Sequence, residues 1–327
     1  MSPPCVFIII LQYNNPQDTI RCLNSVKELG YTNYDVIIVD NGSGVNPVKS
    51  RKAGAPKELF DGVKYVSTIE DRVENEGNSN SYTKYKILST KYNLGYSGGN
   101  NVGIKYALER GADYIFILNP DTTIEKNILT KLIETAESDP QIGILGPAID
   151  EGDKTTYGGK IEWLKPELSH LVVEPLSILS GSTTKYYIPG AAMLIKKAVV
   201  EKNGLLDECY FLYFEDADYC LRAQKAGYKL AIVPETTVYH RPSSSTKTLG
   251  APLLLHYHYR NAHLFNWKNG PLWVKFALPF WSFFIIIRQL IKIVFASPKR
   301  EISKAILAGV LDFYRNHFGK INAQDRY

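Results

Sequence analysis

Polar side chains follow directly on several predicted strands of this 327-residue chain, where they could bind a ligand. The segments are Gln12-Tyr13-Asn14, Asp40 to Ser43, Asn119 to Thr122, and a glycine-rich helix entry from Asn93 to Asn101. Ligands of open α/β sheets bind in the crevice outside the carboxyl ends of the strands. One Asp at a strand end is as often a cap as a functional group. Several polar segments meeting at one edge predict a binding cleft.

Three carboxylates, Glu215, Asp216 and Asp218, lie within four positions at the start of a predicted helix. Favourable interaction with the helix dipole would account for one or two of them. The aromatic residues before them suggest that at least one carboxylate lies in a partly desolvated cleft, where its pKa would suit proton transfer. His240 follows a strand-like segment, and a lone His is more often structural than a ligand.

Two common nucleotide-binding patterns are incomplete. Gly42-Ser43-Gly44 follows a strand, but Pro47 stands where a dinucleotide fold needs glycine, and the chain contains no GxxxxGK[ST] phosphate loop. The loop from Asn93 to Asn101 could present free N–H groups to a phosphate or a sugar. Tight packing at a helix entry explains its glycines equally well.

The elements that must position these residues alternate between strand and helix. Short apolar segments predict strands at Cys5 to Leu11 and Tyr34 to Asp40, and a helix from Pro16 to about Leu29 between them makes a βαβ unit with a parallel sheet. Further strands are predicted at 63–67, 86–90, 114–118, 142–145 and 230–233, and further helices at 98–110, 124–138 and 214–225. The polar stretch 68–84 is predicted to be an exposed insertion, and 154–188 to include an antiparallel hairpin.

Composition indicates a folded protein of the cytoplasm. Hydrophobic residues make up 45% of the chain, and Cys5, Cys22, Cys209 and Cys220 form no CxxC pair, so we expect reduced thiols. The N-terminus lacks the basic segment and the long apolar core of a signal peptide. From Phe265 to Lys320 the chain has nine basic and two acidic residues, which favours an anionic surface as partner.

Taken together, the motifs resemble one family. VDNGSG, NLGYSGGNNVGI, FILNPDT, PGAAMLIKK, GLLDECYFLYFEDADYCLRAQKAGY and VPETTVYHR occur in this order between Val6 and Arg241. The set resembles glycosyltransferase family 2, in the branch of bacterial rhamnosyl- and galactofuranosyltransferases. The resemblance implies an α/β GT-A fold, with a Rossmann-like, mostly parallel sheet flanked by helices and a helical C-terminal extension. It also implies an inverting glycosyltransferase that uses a nucleoside-diphosphate sugar. The donor would be a dTDP- or UDP-sugar, with dTDP-rhamnose as the first choice.

The resemblance also implies roles for single residues. Asp40 would contact the nucleoside, and the remaining donor-binding residues would be Gln12, Tyr13, Asn14, Asn93, Gly95, Gly98, Gly99, Asn100 and Asn119. Asp121 and His240 would hold Mn²⁺ or Mg²⁺, although Asn119 replaces the first acid of the family's DxD motif. Asp216 matches the catalytic base, with Glu215 as the second catalytic candidate. The implied domains are a catalytic domain, 1–250, with a donor half (1–122) and an acceptor half (123–250), followed by a basic helical region, 251–327.

The apolar segment from Phe276 to Ala296 is about long enough to cross a bilayer. Arg288, Gln289 and Lys292 interrupt it, and each basic residue near the middle of a span would cost about 2.5 to 3.5 kcal/mol. We therefore expect the segment to lie in the interface of an anionic membrane, with a helical hairpin or homo-oligomer contact and a true span as alternatives. A peripheral enzyme on the inner face of the cell membrane would suit a lipid-linked glycan as acceptor.

Two other functions remain open from the sequence. A sugar-phosphate nucleotidyltransferase would need a basic glycine-rich signature near the N-terminus, which the stretch from Gln12 to Arg21 lacks. A non-catalytic scaffold that binds glycan or nucleotide would tolerate the missing DxD acid. A nucleic acid partner is not expected.

Overall fold

The computed structural model describes residues 2–43, 64–66, 85–172, 178–179, 185–241, 250–295 and 300–321. Its strands are β1 (Val6–Gln12), β2 (Tyr34–Asp40), β3 (Lys64–Val66), β4 (Tyr85–Ser89), β5 (Tyr114–Leu118), β6 (Thr122–Ile124), β7 (Ile142–Asp150), β8 (Thr155–Thr156), β9 (Gly159–Lys160), β10 (Ser169–His170), β11 (Ile178–Leu179), β12 (Tyr186–Tyr187), β13 (Ala192–Lys196) and β14 (Lys229–His240). Its helices are α1 (Pro16–Lys27), α2 (Gly95–Glu109), α3 (Ile128–Ser138), α4 (Lys197–Asn203), α5 (Glu215–Lys225), α6 (Ala251–Asn269), α7 (Leu272–Phe295) and α8 (Arg300–Tyr314).

Within these residues, eleven strands form one sheet in which β1 is central. The order is β11-β14-β7-β13-β5-β1-β2-β4-β3, with β6 on β14 and β8 on β7. β1 pairs in parallel with β2 and β5, so Gln12 lies opposite Asp40 and Ile10 opposite Leu118. The register brings the carboxyl ends of these three strands to one edge. The predicted parallel βαβ arrangement is confirmed.

The local sequence explains how α1 begins. Asn15 caps the helix by accepting a hydrogen bond from the Asp18 N–H, and Pro16 occupies a first-turn position where no N–H is needed. Asp18 adds a negative charge to the first turn, where the helix dipole favours it. The helix begins at Pro16 as predicted and ends at Lys27, two residues before the predicted end.

Both faces of the sheet are covered, which is why its central strands are continuously apolar. On β1, Phe7 and Ile9 pack into the layer that contains α2 and α5, whereas Val6, Ile8 and Ile10 pack against α1 and α3. The alternation follows the two-residue period of a strand. The four cysteines are all free, as expected.

Several predicted boundaries differ from the structure. Helix α2 begins at Gly95 rather than Gly98, and β14 runs from Lys229 to His240 rather than ending at Val233. β14 continues past Pro234 because its pairing with β7 shifts register between Val233 and Thr237. The expected antiparallel hairpin within 154–188 is a small sheet of β10, β9 and β12. The predicted insertion at 68–84 lies outside the described residues.

The C-terminal helices pack on the sheet domain and on one another. Helix α6 contacts α5, α7 and α8, and the predicted boundary at residue 250 falls at its start. α7 is the helix of the described chain that is long and apolar enough to cross a membrane by length and composition. Which faces of α7 are buried and which are exposed therefore decides how its relation to a membrane is interpreted.

Candidate active site

A cavity of about 820 Å³ opens at the carboxyl edge of the sheet. Its wall combines strand ends, the loop before β13, the start of α5, and the C-terminal region. The residues that line it include Tyr13, Asn41, Asn93, Gly95, Tyr96, Asn119, Asp121, Glu167, His170, Gly190, Tyr213, Glu215, Asp216, His240, Tyr257, His258 and Lys320. The structure thus brings most of the predicted site residues together.

Asn41, which was not among the predicted site residues, organises the donor side of the cavity. Its side-chain amide donates to the Asn93 side chain at 3.1 Å and to the Gly95 carbonyl at 2.9 Å. Its side-chain oxygen accepts from the Leu94 N–H at 2.9 Å. Asn41 immediately follows Asp40 in the VDNGSG motif, so its position in sequence was the available signal.

The glycine-rich segment has a packing role that the sequence left open. Gly98, Gly99 and Asn100 lie inside helix α2 and, unlike Asn93 and Gly95, are not among the described lining residues. A Cβ on Gly99 would come within 2.4 Å of a Leu11 methyl carbon. Gly99 therefore lets α2 lie close on β1.

The remaining predicted donor residues lie next to the wall. Gln12, Asn14 and Asp40 are outside the described lining set, although each is adjacent in sequence to a residue within it. Burial raises the pKa of Asp40, and hydrogen bonds from Ser43 oppose the shift. The Asp40 carboxylate accepts from the Ser43 N–H at 3.4 Å.

Asp121 and His240 face each other across the β6 and β14 pairing. Nε2 of His240 lies 3.4 Å from Oδ1 of Asp121, and Nδ1 lies 3.6 Å from Oε1 of Glu151. Burial by itself lowers the pKa of His240, but Asp121 and Glu151 outweigh it, so the net shift is upward. Asp121 follows β5 and His240 ends β14, and backbone pairing of β6 with β14 joins the two.

The donor atoms at this position fit a divalent cation. Oδ1 of Asp121 is buried and accepts no hydrogen bond of good geometry from the described residues. Metal-bound His residues commonly donate their other ring N–H to a carboxylate, the place that Glu151 takes here. No group of three or more His, Cys, Asp or Glu side chains in the described chain is arranged to hold a metal. Asp121 and His240 could therefore supply two ligands, with the others coming from substrate and water.

Glu215 and Asp216 begin helix α5 and line the cavity. Asp216 accepts hydrogen bonds from the Gly190 N–H at 3.0 Å and from the Ala217 N–H at 2.7 Å. Oε2 of Glu215 is buried and has no hydrogen-bond partner among the described residues. Burial raises the pKa of both groups, and the charge of Asp216 raises that of Glu215 further. A carboxylate with a raised pKa is suited to accept a proton near neutral pH.

Asp218, the third carboxylate, has a different environment. It is 2% exposed and accepts from Nε of Arg222 at 2.8 Å, from the Tyr210 hydroxyl at 3.2 Å and from the Asn269 amide at 2.7 Å. These contacts join α5 to α6. Asp218 is outside the described cavity lining, so its contacts indicate a structural role.

The loop before α5 holds three aromatic residues in the left-handed backbone region. Phe211, Tyr213 and Phe214 have φ angles of 61°, 71° and 75°. Non-glycine residues occupy this region at a cost, and such strain concentrates at functional sites. The side-chain amide of Asn261 on α6 donates to the carbonyls of Tyr210, Leu212 and Tyr213 at 2.7, 2.7 and 3.2 Å. Helix α6 thus fixes the loop that presents Glu215 and Asp216.

The wall opposite the sheet comes from α6 and the segment after α8. His258 stacks on Tyr213 with ring centroids 4.0 Å apart. The Ile321 N–H donates to the Tyr257 hydroxyl at 3.0 Å, which places Lys320 at the cavity. Of the described lining residues, Lys320 is the one lysine or arginine. Nothing in the sequence indicated that Lys320 lies at the cavity.

Profiles of two related families match the chain. "Glycosyltransferase like family 2" matches residues 87–252, about half of the sequence, and "Glycosyl transferase family 2" matches residues 7–72. The chain belongs to glycosyltransferase family 2. The chain is therefore an enzyme, a glycosyltransferase, and the family resemblance that its motifs indicated is confirmed.

Named relatives place the glycosyltransferase in the rhamnosyltransferase-like branch. It is 24% identical to the dTDP-rhamnosyl transferase RfbF of Shigella flexneri over 273 residues, 81% of this chain and 80% of that protein. It is 27% identical to the N-acetylglucosaminyl-diphospho-decaprenol L-rhamnosyltransferase of Mycobacterium tuberculosis over 222 residues, 58% of this chain and 71% of that protein.

Solved structures confirm the GT-A fold. A mannosyltransferase from Pyrobaculum calidifontis, in complex with GDP-Man and Mn²⁺, matches with a TM-score of 0.54 and 12% identity over 96% of this chain and 88% of that one. GalNAc-T7 with UDP, GalNAc and Mn²⁺ matches with a TM-score of 0.54 and 16% identity over 79% of this chain and 47% of that one. At these identities the likeness concerns the fold alone.

Proposed function

We propose that this glycosyltransferase transfers rhamnose from a dTDP donor to a hydroxyl of a lipid-linked or cell-surface glycan, with inversion at the anomeric carbon. The observation that most strongly supports this proposal is the position of the Asp216 carboxylate. It lines the same cavity as Asp121 and is oriented by two backbone N–H groups. The relatives named as rhamnosyltransferases support the choice of sugar, and one of them is named for a lipid-diphosphate acceptor.

Asp216 acts as the general base in this proposal. The acceptor oxygen forms a bond to the anomeric carbon, its proton passes to the Asp216 carboxylate, and the bond between the anomeric carbon and the dTDP oxygen breaks. An alcohol is a poor nucleophile near neutral pH, so removing its proton in the transition state is worth about 10²- to 10⁴-fold in rate. Attack opposite to the leaving group gives inversion. Glu215, which lies beside Asp216, is the second candidate for this role.

Asp121 and His240 are proposed to hold Mn²⁺ or Mg²⁺. A bound divalent cation would neutralise the charge that develops on the departing diphosphate. The buried Oδ1 of Asp121, which accepts no hydrogen bond of good geometry from the described residues, and the Mn²⁺ in both structural neighbours support this assignment. Asn119, which also lines the cavity, takes the place of the first DxD acid and brings no charge.

The nucleoside is proposed to lie near Tyr13 and Asn41, and the diphosphate near Asn93 and Gly95. These residues line one side of the cavity. Gln12, Asn14 and Asp40 would act from the ends of β1 and β2, and Gly98, Gly99 and Asn100 by shaping the start of α2. The catalytic unit then includes residues on both sides of the predicted boundary at residue 250, because Tyr257, His258 and Lys320 complete the wall.

A transfer assay tests the proposal. The full chain is incubated with Mn²⁺, a lipid extract that contains diphospholipid-linked saccharides, and radiolabelled dTDP-rhamnose, UDP-galactose or GDP-mannose. We expect label to enter the lipid fraction from dTDP-rhamnose and far less from the other donors. Transfer from a different donor would overturn the choice of sugar. Failure of every donor and acceptor, with a folded protein, would favour the scaffold alternative.

A further inference from the structure

Helix α7 presents a continuous apolar face to the surface. Its exposed large apolar residues are Leu272, Trp273, Phe276, Phe280, Phe283, Phe284, Ile287, Leu290, Ile291, Val294 and Phe295, between 41% and 82% exposed. They recur at intervals of three and four, so they form one stripe along the helix. Exposed apolar patches larger than a few hundred Å² mark interaction sites in soluble proteins. A stripe of this length needs a partner.

The charge around this face favours an anionic partner. Helix α7 contains no acidic residue, and Arg288 and Lys292 lie along one edge of the stripe. Neither has a carboxylate partner among the ion pairs of the described residues. Exposed aromatic residues beside unpaired cations are typical of helices that lie in the interface of an anionic bilayer.

The opposite face of α7 argues against a transmembrane position. Leu278, Ser282, Ile285 and Gln289 are buried. Ser282 accepts from the Tyr314 hydroxyl of α8 at 2.8 Å and lies 3.0 Å from Nε2 of His263 on α6. A helix that crossed the bilayer would have to leave these polar contacts or carry α6 and α8 with it. One face in protein and one in lipid fits a helix that lies along the surface.

We infer that the exposed stripe of α7 inserts into the headgroup region of an anionic lipid bilayer and holds the enzyme on the membrane. The purpose of this membrane contact, access to a lipid-linked acceptor, rests on the proposed function. Vesicle binding itself can be measured without sugar transfer. About 20 residues at 1.5 Å each give the stripe a length of roughly 30 Å, enough to define the orientation of the enzyme on the surface.

Helix α6 connects this surface to the cavity. On one side α6 lines the cavity with Tyr257 and His258. On the other side His263 stacks on Trp281 of α7 with ring centroids 4.5 Å apart. Packed helix axes lie about 8 to 10 Å apart, so a single helix separates the lipid-facing stripe from the cavity wall. A lipid-linked acceptor could thus reach the cavity while its lipid stays in the bilayer.

The surroundings of Tyr259 support the proximity of the exposed stripe to the cavity. Burial raises the pKa of the Tyr259 hydroxyl on α6, the positive charge of Arg288 opposes that shift, and the negative charge of Glu167 adds to it. Tyr259 also packs against the cluster of Ile285, Ile306 and Val310, which joins α7 to α8. Glu167 lines the cavity, whereas Arg288 borders the stripe. The membrane-facing surface and the rim of the cavity are neighbours.

Flotation with vesicles tests the inference on the full chain. We expect the protein to float with phosphatidylcholine vesicles that contain phosphatidylglycerol, and much less with phosphatidylcholine alone. The double variant Phe280→Glu, Phe284→Glu should lower vesicle binding at least tenfold, because both side chains are exposed and make few contacts in the fold. Val172→Glu is the matched control, since Val172 is 58% exposed on the sheet domain, and should bind as the wild type does.

The charge contribution has its own variant. Arg288→Gln with Lys292→Gln should weaken binding to anionic vesicles about thirtyfold, since each basic residue near such a surface is worth about 1 kcal/mol. Thermal stabilisation by dTDP and Mn²⁺ should be unchanged in both double variants, which shows that the fold and the cavity remain intact. Vesicle binding without sugar transfer would leave the inference standing and refute only the proposed function.

Two results would overturn the inference. One is wild-type protein that ignores anionic vesicles at low and moderate salt while it still binds nucleotide. The other is a wild-type protein that is a dimer and a double variant Phe280→Glu, Phe284→Glu that is a monomer, as measured by light scattering. The stripe would then be covered by a second copy of the chain.

Discussion

The carboxylate of Asp216 accepts a hydrogen bond from the backbone N–H of Gly190 at 3.0 Å. This contact joins the first turn of α5 to the loop that leads into β13. The Tyr96 hydroxyl donates to the Gly190 carbonyl at 2.5 Å, so the same peptide segment is held from both sides. A carboxylate fixed in this way is oriented before any substrate binds.

Asp216→Asn should reduce transfer about 10²- to 10⁴-fold, the usual contribution of a general base. The amide cannot take the proton of the acceptor hydroxyl, although its size and its oxygen keep the contact with Gly190. Donor affinity, measured by calorimetry with dTDP and Mn²⁺, should stay within about twofold. Transfer at the wild-type rate would remove Asp216 from this role and direct attention to Glu215.

Asp218→Asn should act on stability. Its carboxylate is buried against Arg222, and breaking a buried ion pair costs about 3 to 5 kcal/mol. Because Arg222 is partly exposed, we expect the free energy of unfolding to fall by about 3 kcal/mol, at the lower end of that range. Urea denaturation measures this change. An unaltered stability with lost transfer would instead make Asp218 a catalytic group.

Glu215→Gln should stabilise the fold near neutral pH in the absence of metal. Burial, and then the charge of Asp216, hold the pKa of Glu215 above its ordinary value of 4.5. The folded state therefore binds the proton more tightly than the unfolded chain, and wild-type stability falls as the pH rises above about 4.5. Glutamine has no proton to lose, so the variant avoids this cost.

The difference between wild type and Glu215→Gln should thus grow with pH from about 4.5 upward and vanish below it. Denaturation curves across that range measure it. If the wild type were equally stable at neutral pH, ionisation of Glu215 would carry no cost and its environment would have to be polar.

Gly99→Ala should destabilise the protein by about 1 to 3 kcal/mol, the usual cost of overpacking. The new methyl group would lie 2.4 Å from Leu11 and 3.1 Å from the Asn41 amide. Gly30→Ala is a matched control, because its Cβ would meet Lys126 at an ordinary 3.6 Å. Thermal melts of both variants separate a packing role from donor binding. Lost donor affinity with unchanged stability would contradict the packing role.

The central strands and their polar ends could be predicted because each depends on local sequence. Val6 to Leu11 and Val36 to Val39 are apolar without interruption, as strands buried on both faces must be. The motifs that follow them then converge by parallel pairing alone. The positions of Tyr13, Asn119 and Asp121 in the cavity wall agree with that prediction.

The other wall could not be predicted, because it depends on packing between distant segments. Lys320 lies at the cavity because the neighbouring Ile321 is hydrogen-bonded to Tyr257. Asn261 supports a loop that lies about fifty residues earlier in the chain. The end of β14 was also missed, since Pro234 is expected to end a central strand. There the shifted register with β7 accommodates it.

Calorimetric and thermal titration of the full chain with dTDP tests the central claim most directly. With Mn²⁺, dTDP at 100 times its dissociation constant should stabilise the fold by about 2.7 kcal/mol. UDP should stabilise it less, and EDTA or Asp121→Ala should remove the effect. Protein that is folded and yet responds to no nucleoside diphosphate, with or without metal, would contradict the account.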